Sequence, residues 1–183
     1  RLVSMKILII PTLLLISLSC FSQINTVEAT IEEDEFTGNK WIETDLWERF
    51  AANTNGTNLS AYFQVNFNGA VQLRARWNKN LGCFIKYEST LEVKLSNGTI
   101  VEFVFIDDTF CSDYESVVFA PLPSESNSIL ENLQTYDWEM IRITSSSKKT
   151  DFKPNPLGPY PLSDYEFPEQ FFRLHISAMK AKQ

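Results

Sequence analysis

His175 is the only histidine in this chain of 183 residues. A Ser–His or Cys–His pair, or a metal site built on imidazole, would therefore rest on one residue. It stands beside Ile176 and one helical turn from Phe171 and Met179, which reads as the edge of a buried helix face. Oxygen chemistry has a separate candidate in Asp107, Asp108, Asp113 and Glu115. Carboxylates in such a loop suit a hard cation such as calcium, although their spacing follows no known loop code. A solvated turn after a strand is the simpler reading of the same residues. A third candidate comes from strand parity. Tyr62, Gln64, Gln72, Arg74 and Arg76 alternate with apolar residues and share one outward surface. Arginine and aromatic groups together are typical of recognition surfaces, against the plainer reading of a solvated sheet face.

Several chemistries find no support. No GxSxG, HExxH, Walker or EF-hand pattern occurs, which leaves the usual hydrolase and nucleotide readings without residues. Catalytic residues and cofactors are accordingly expected to be absent, and the chain reads as a binding or envelope module. The alternatives are a small cation-dependent enzyme using the acidic loop, or a purely structural envelope component.

The compartment is written near the start. Met5 and Lys6 precede the apolar run Ile7–Leu18, and Ser19, Cys20 and Ser22 follow. A basic start, a short apolar run and small residues make an export signal. The run is too short for a transmembrane helix, which needs about 20 apolar residues. Cleavage after Ser22 would leave Gln23 first, and Arg1 to Ser4 would precede the true start. The competing reading anchors a lipoprotein at Cys20, but Ser17 stands where that pattern wants leucine. Removing 1–22 takes away Arg1 and Lys6, leaving 14 basic against 23 acidic residues and a formal charge of −9. Such a surface argues against nucleic acid. Arg74 and Arg76, two of five arginines left, would form a local positive spot for an anionic or carboxylate-bearing partner, an envelope or extracellular protein or glycan. Cys83 and Cys111 remain as a pair, and an oxidising compartment makes a disulfide the natural reading. A free, core-packed Cys83 is the alternative.

These residues need elements to hold them. Residues 23–40 are polar, with Glu32 to Glu35 in an acidic run, and read as a solvated leader to a single domain over 41–183. Trp41 to Phe50 reads as a strand, and helical spacing also fits Ile42, Leu46 and Phe50. Two hairpins follow. A three-residue loop at Phe67-Asn68-Gly69 pairs Val65 with Val71, Phe63 with Leu73 and Ala61 with Ala75. A two-residue turn would set Val65 against Gln72 and mismatch the apolar faces. The loop Ser96-Asn97-Gly98 likewise pairs Val93 with Val101 and Leu91 with Phe103. Cys83 to Glu88, Val117 to Phe119 and Trp138 to Thr144 read as further strands. Ser128 with Glu131 fits a capping box for a short helix. Residues 145–168, with five prolines, read as an extended surface connection. Pro168 then opens a closing helix over 168–182, with Phe171, Phe172, Ile176 and Met179 on its buried face. The expected fold is α+β: an antiparallel sheet or β-sandwich of hairpins, with a short helix and a C-terminal helix packed on it. Asn55, Asn58 and Asn97 head Asn-x-Ser/Thr triplets, which matter only in a glycosylating host.

Three stretches carry a resemblance: Glu35-Phe36-Thr37-Gly38-Asn39-Lys40-Trp41, Leu95-Ser96-Asn97-Gly98-Thr99-Ile100 and Ile141-Arg142-Ile143-Thr144. With the signal ending in Ser19-Cys20-Phe21-Ser22-Gln23, the chain resembles a loose set of small, uncharacterised exported proteins of Bacteroidota-type bacteria. The resemblance implies a periplasmic or extracellular protein and assigns no activity.

Overall fold

The computed structural model describes residues 26–44, 47–109, 111, 116–154 and 164–183. The apolar run at 7–18, on which the expected export signal rests, and Cys20 lie outside them. Antiparallel pairing dominates. The strands are β1 (Ala29–Glu33), β2 (Lys40–Thr44), β3 (Arg49–Ala52), β4 (Asn58–Val65), β5 (Val71–Trp77), β6 (Thr90–Leu95), β7 (Ile100–Phe105), β8 (Val117–Ala120), β9 (Trp138–Thr144) and β10 (Lys149–Phe152). Two helices, α1 (Ser126–Thr135) and α2 (Phe171–Lys180), complete the α+β fold.

Both hairpins adopt the register that side-chain parity demands. Val65 faces Val71, Phe63 faces Leu73 and Ala61 faces Ala75, while Val93 faces Val101 and Leu91 faces Phe103. Gly69 sits at φ +78° and its N–H donates to the Asn66 carbonyl (2.8 Å), the left-handed position a three-residue loop requires.

The strand order β1-β2-β4-β5-β8-β7-β6-β9-β10 leaves β3 beside β4. β2 covers the end of β4 near Val65, and β3 covers the end near Asn58. They act as one broken strand with Trp47 at the break. Immediately after β10, Lys153 bridges Ala52 of β3 through reciprocal bonds of 2.9 and 3.2 Å. That bridge joins the β10 end of the order to β3 and closes β3-β4-β5-β8-β7-β6-β9-β10 into a barrel, while β1 stays an open edge.

The barrel interior is filled by the protein itself. Phe50 stacks on Phe171 with centroids 3.7 Å apart, and Phe63 approaches Phe103 and Phe172 at 6.5 and 6.0 Å. Phe171 and Phe172 come from α2, whose residues 171, 172, 175, 176 and 179 form one buried stripe. Pro168 opens a single 3-10 turn before it, and the Trp138 indole donates to the Pro168 carbonyl (2.7 Å), pinning the helix start. Among the described residues no helix is long and apolar enough to cross a membrane.

Cys83 and Cys111 are bonded, tying the β5–β6 connection to the β7–β8 connection.

Five local expectations are corrected. The polar stretch expected as a leader supplies β1, paired with β2 from Ala29↔Thr44 to Glu33↔Lys40. Its outward glutamates are tolerated because only Ala29 of that strand is buried. The strand expected over 41–50 exists but is split into β2 and β3. Residues 83–88 are not a strand, because the Glu88 and Ser89 N–H groups both return to the Ile85 carbonyl (3.1 and 2.9 Å) and fold a turn. Phe84, of the opposite parity, is the buried residue there, and Tyr87 is exposed at φ +63°. The expected capping box is absent: α1 starts at Ser126, and the Ser128 hydroxyl lies within its first turn, donating to the Glu125 carbonyl (2.9 Å). A turn closed by Glu125 N–H to the Leu122 carbonyl (2.9 Å) starts the helix before Ser128. Finally, the stretch 145–168 is not wholly a surface connection. It contributes β10, buried Phe152 and buried Tyr165.

Candidate functional site

The outward face of the first hairpin is built as the sequence parity implies. Tyr62 pairs with Arg74, Gln64 with Gln72, and Ser60 with Arg76. Its side chains are nevertheless tied to one another unequally. Arg74 Nε donates to Gln64 Oε1 (2.8 Å), and Gln64 Nε2 donates to Glu43 Oε1 (2.8 Å). Arg74 is thereby held half-buried in a polar chain across three strands, while Gln72 is half-buried beside it. Tyr62 is buried, and that burial pushes its phenol above the ordinary value despite the neighbouring Arg74 cation. The expected stacking surface is therefore not Tyr62.

Trp47 takes that place. It is held at φ +60°, a conformation costly for a bulky residue outside glycine-like turns. This geometry lays its ring across the sheet face. The ring meets Tyr62 edge-on at 4.8 Å, and the Arg76 guanidinium lies 4.5 Å from its centroid. Arg76 Nη2 also donates to the Trp47 carbonyl (3.3 Å). Among the described residues no carboxylate pairs with Arg76, and its side chain is exposed.

Trp47 and Arg76 border a groove of about 420 Å³ that also touches Arg49, Asn58, Trp77 and Asp164. The opposite wall is a forked ion pair: Arg49 Nη2 to Asp164 Oδ1 at 2.7 Å and Nε to Oδ2 at 3.2 Å, with the Arg49 backbone N–H adding 2.8 Å. Burial pushes the Asp164 carboxyl up, but the side-chain and backbone bonds from Arg49 outweigh it and hold the group below the usual carboxylate range. This wall is neutralised; the Arg76 side is not. The Asn58 amide oxygen is buried in the groove wall without a partner among the described residues. The groove can thus offer an aromatic face, a cationic fork and amide groups.

The other candidates separate from this site. Asp107 and Asp108 are exposed, with Asp108 Oδ1 3.6 Å from Lys86 Nζ. Asp113 and Glu115 lie outside the described residues. Among the described residues no group of His, Cys, Asp and Glu is arranged to hold a metal ion. His175 lies deeper than a face edge: it is fully buried, its ring nitrogens facing Tyr165 Oη (2.7 Å) and Thr44 Oγ1 (2.5 Å). It braces α2 against β2 and does not reach the groove.

Sequence reasoning found Arg76 but missed Trp47, Arg49, Asn58 and Asp164. Trp47 was hidden inside an expected strand, and Asp164 lies far along the chain from Arg49. No protein-family model matches this chain, and no match was found among curated proteins or solved structures.

Proposed function

We propose that this chain is an exported binding module that holds an anionic saccharide in the groove bordered by Trp47 and Arg76. The ring of Trp47, fixed against an Arg76 guanidinium that no carboxylate among the described residues neutralises, carries the reading. An indole face packs well against the C–H surface of a sugar ring, and a guanidinium fork recognises a carboxylate in a way lysine cannot. Asn58 and Asn78 add donors and acceptors suited to hydroxyls. A filled barrel interior favours a ligand on the outside of the sheet. The export run at 7–18 and the Cys83–Cys111 bond both suit a periplasmic or extracellular setting.

Tryptophan fluorescence titration with a galacturonate disaccharide and its neutral galactose counterpart tests this. The acidic sugar should bind at least tenfold tighter. Trp47→Ala, read by calorimetry because it removes the reporting indole, should weaken both sugars, and Arg76→Ser should cost the acidic sugar tenfold or more, on the order of 1.4 kcal/mol, and erase the difference. Arg74→Ser should have little effect, since Arg74 is already engaged by Gln64. Equal affinity for both sugars, or unchanged binding by Trp47→Ala, overturns the assignment.

A further inference from the structure

A second cleft, of about 470 Å³, lies across the turn at residues 53–57 from the groove and is lined by Lys79, Lys148 and Lys149 together with Asn55, Asn80 and Asp151. In a chain of formal charge −7 this convergence of ammonium groups stands out electrostatically. The one carboxylate in its wall does not cancel them. Arg142 grips Asp151 from outside by two bonds, Nε to Oδ1 at 2.7 Å and Nη2 to Oδ2 at 2.9 Å. The hydrogen bond from Arg142 holds the Asp151 carboxyl below its ordinary range, so it stays ionised and already paired.

The lysines are placed by backbone acceptors. Lys79 Nζ donates to the Asn55 carbonyl, and Lys148 Nζ donates to the Asn80 carbonyl at 3.1 Å. Each ammonium spends one N–H this way and keeps two for a ligand. Their supporting loops are locked together at Gly82, which sits at φ +97°. A Cβ added there would come within 2.6 Å of Ser147 Oγ and 2.8 Å of Ser145 Oγ. The Ser145 hydroxyl in turn donates to the Leu81 carbonyl.

The cleft and the groove share a wall. Asn78, which lines the groove, accepts from the Asn58 N–H (2.8 Å) and donates to the Gly56 carbonyl (3.5 Å) in the intervening turn. Next along the chain, Lys79 reaches back to that same turn from the other side. Arg76 therefore borders the groove and Lys79 and Lys148 line the cleft, with the turn at 53–57 between them.

We infer that the lysine cleft is a second subsite of the same ligand, which makes that ligand a polyanionic polysaccharide bearing acidic groups on successive sugars. The inference rests on the groove being a saccharide site, and it adds the requirement for chain length and repeated charge. Lysine ammonium groups act as point charges and take carboxylate or sulfate alike, so the shared chemistry is an acidic sugar chain.

Calorimetric titration of the full chain with oligogalacturonates from dimer to octamer, and with chondroitin sulfate oligomers of matched length, tests it. Affinity should step up at least tenfold once the oligomer spans both clefts, in the galacturonate series, whose only charge is carboxylate, or in the chondroitin sulfate series, which adds sulfate. A step in the second alone assigns the cleft to sulfate, and a step in neither overturns the inference. The double change Lys79→Ser and Lys148→Ser should remove the step and flatten the salt dependence while leaving the dimer's affinity unchanged. Either lysine result failing, or equal binding of a single-stranded DNA of matched charge, overturns the inference. Long oligomers that depend on the lysines but not on Trp47 would sink the groove assignment and leave the cleft standing. A circular dichroism spectrum matching the parent keeps the double variant interpretable.

Discussion

Acid should loosen this protein as the pH falls below 6.5, because His175 is buried as a neutral ring. Phe171 lies 4.1 Å from it and Phe63 6.1 Å, and among the described residues the hydroxyls of Tyr165 and Thr44 meet its nitrogens. Burial pushes its pKa down to about 3 from the ordinary 6.5. The folded state therefore refuses a proton that the unfolded chain takes up below pH 6.5. The stability this contributes is complete above that value and is lost as pH falls toward 3. Each pH unit in that window is worth about 1.4 kcal/mol, so about 3 kcal/mol should vanish between pH 7.5 and 4.5. Asp34, Asp151 and Asp164 are held below their ordinary 3.8, so their losses begin lower and are shared by any variant. Urea unfolding at both pH values, for the parent and for His175→Gln, isolates the effect. The variant starts less stable, from imperfect filling, but its stability should fall far less. In thermal scans the parent's extra loss corresponds to roughly 6–12 °C. Parallel curves for the two proteins would refute the argument, since the titrating group would then lie elsewhere.

Replacing both cysteines, Cys83→Ser with Cys111→Ser, reopens a loop of sequence separation 28 and should cost about 3–4 kcal/mol, read from urea midpoints. Reducing agent should lower the parent to the same midpoint and leave the variant unmoved. Phe171→Ala removes the ring stacked on Phe50 and should cost about 3–5 kcal/mol, with increased dye binding if the barrel interior opens. Gly82→Ala should lower the melting temperature by several degrees, since its Cβ meets two hydroxyls in a left-handed conformation. A midpoint equal to the parent's would show that the 145–148 loop yields freely.

What could be read in advance was whatever the chain decides locally. Alternation and Asn-Gly turns specify hairpin register, because a slip of one residue exposes a whole apolar face. The α2 stripe was legible for the same reason, with a period of 3.6 in place of 2. The closure between Ala52 and Lys153 was not. It joins residues about a hundred positions apart through backbone groups, which leave no mark on side-chain pattern. Parity also misled at 83–88, where Ile85 and Tyr87 alternate with polar residues but a turn closed on the Ile85 carbonyl overrides the pattern. The candidate groove was half legible. Arg76 could be placed on the outward face, yet Trp47 acquires its role only because the chain breaks between β2 and β3 and turns its ring over that face.

Filling a barrel with its own aromatic side chains decides where binding can occur. A ligand entering the interior would have to displace Phe171 or Phe172, each backed by further rings, and no ordinary contact offsets that loss. The outside of the sheet is the remaining surface, and it is not uniform. The closure seam is the irregular part: β3 shifts register between Arg49 and Ala51, the chain breaks at Trp47, and a single bridge joins β10. Irregular backbone leaves side chains free of strict alternation, which is why functional groups gather on such segments. Both clefts open beside this seam, and the cations gather there. The acidic groups Glu32 and Glu33 stand instead on β1, the outermost strand of the pairing order. Charge on an exposed edge strand discourages a second chain from pairing with it. At the seam the carboxylates of Asp164 and Asp151 are each taken up by an arginine, which leaves Arg76, Lys79 and Lys148 to set the local field there.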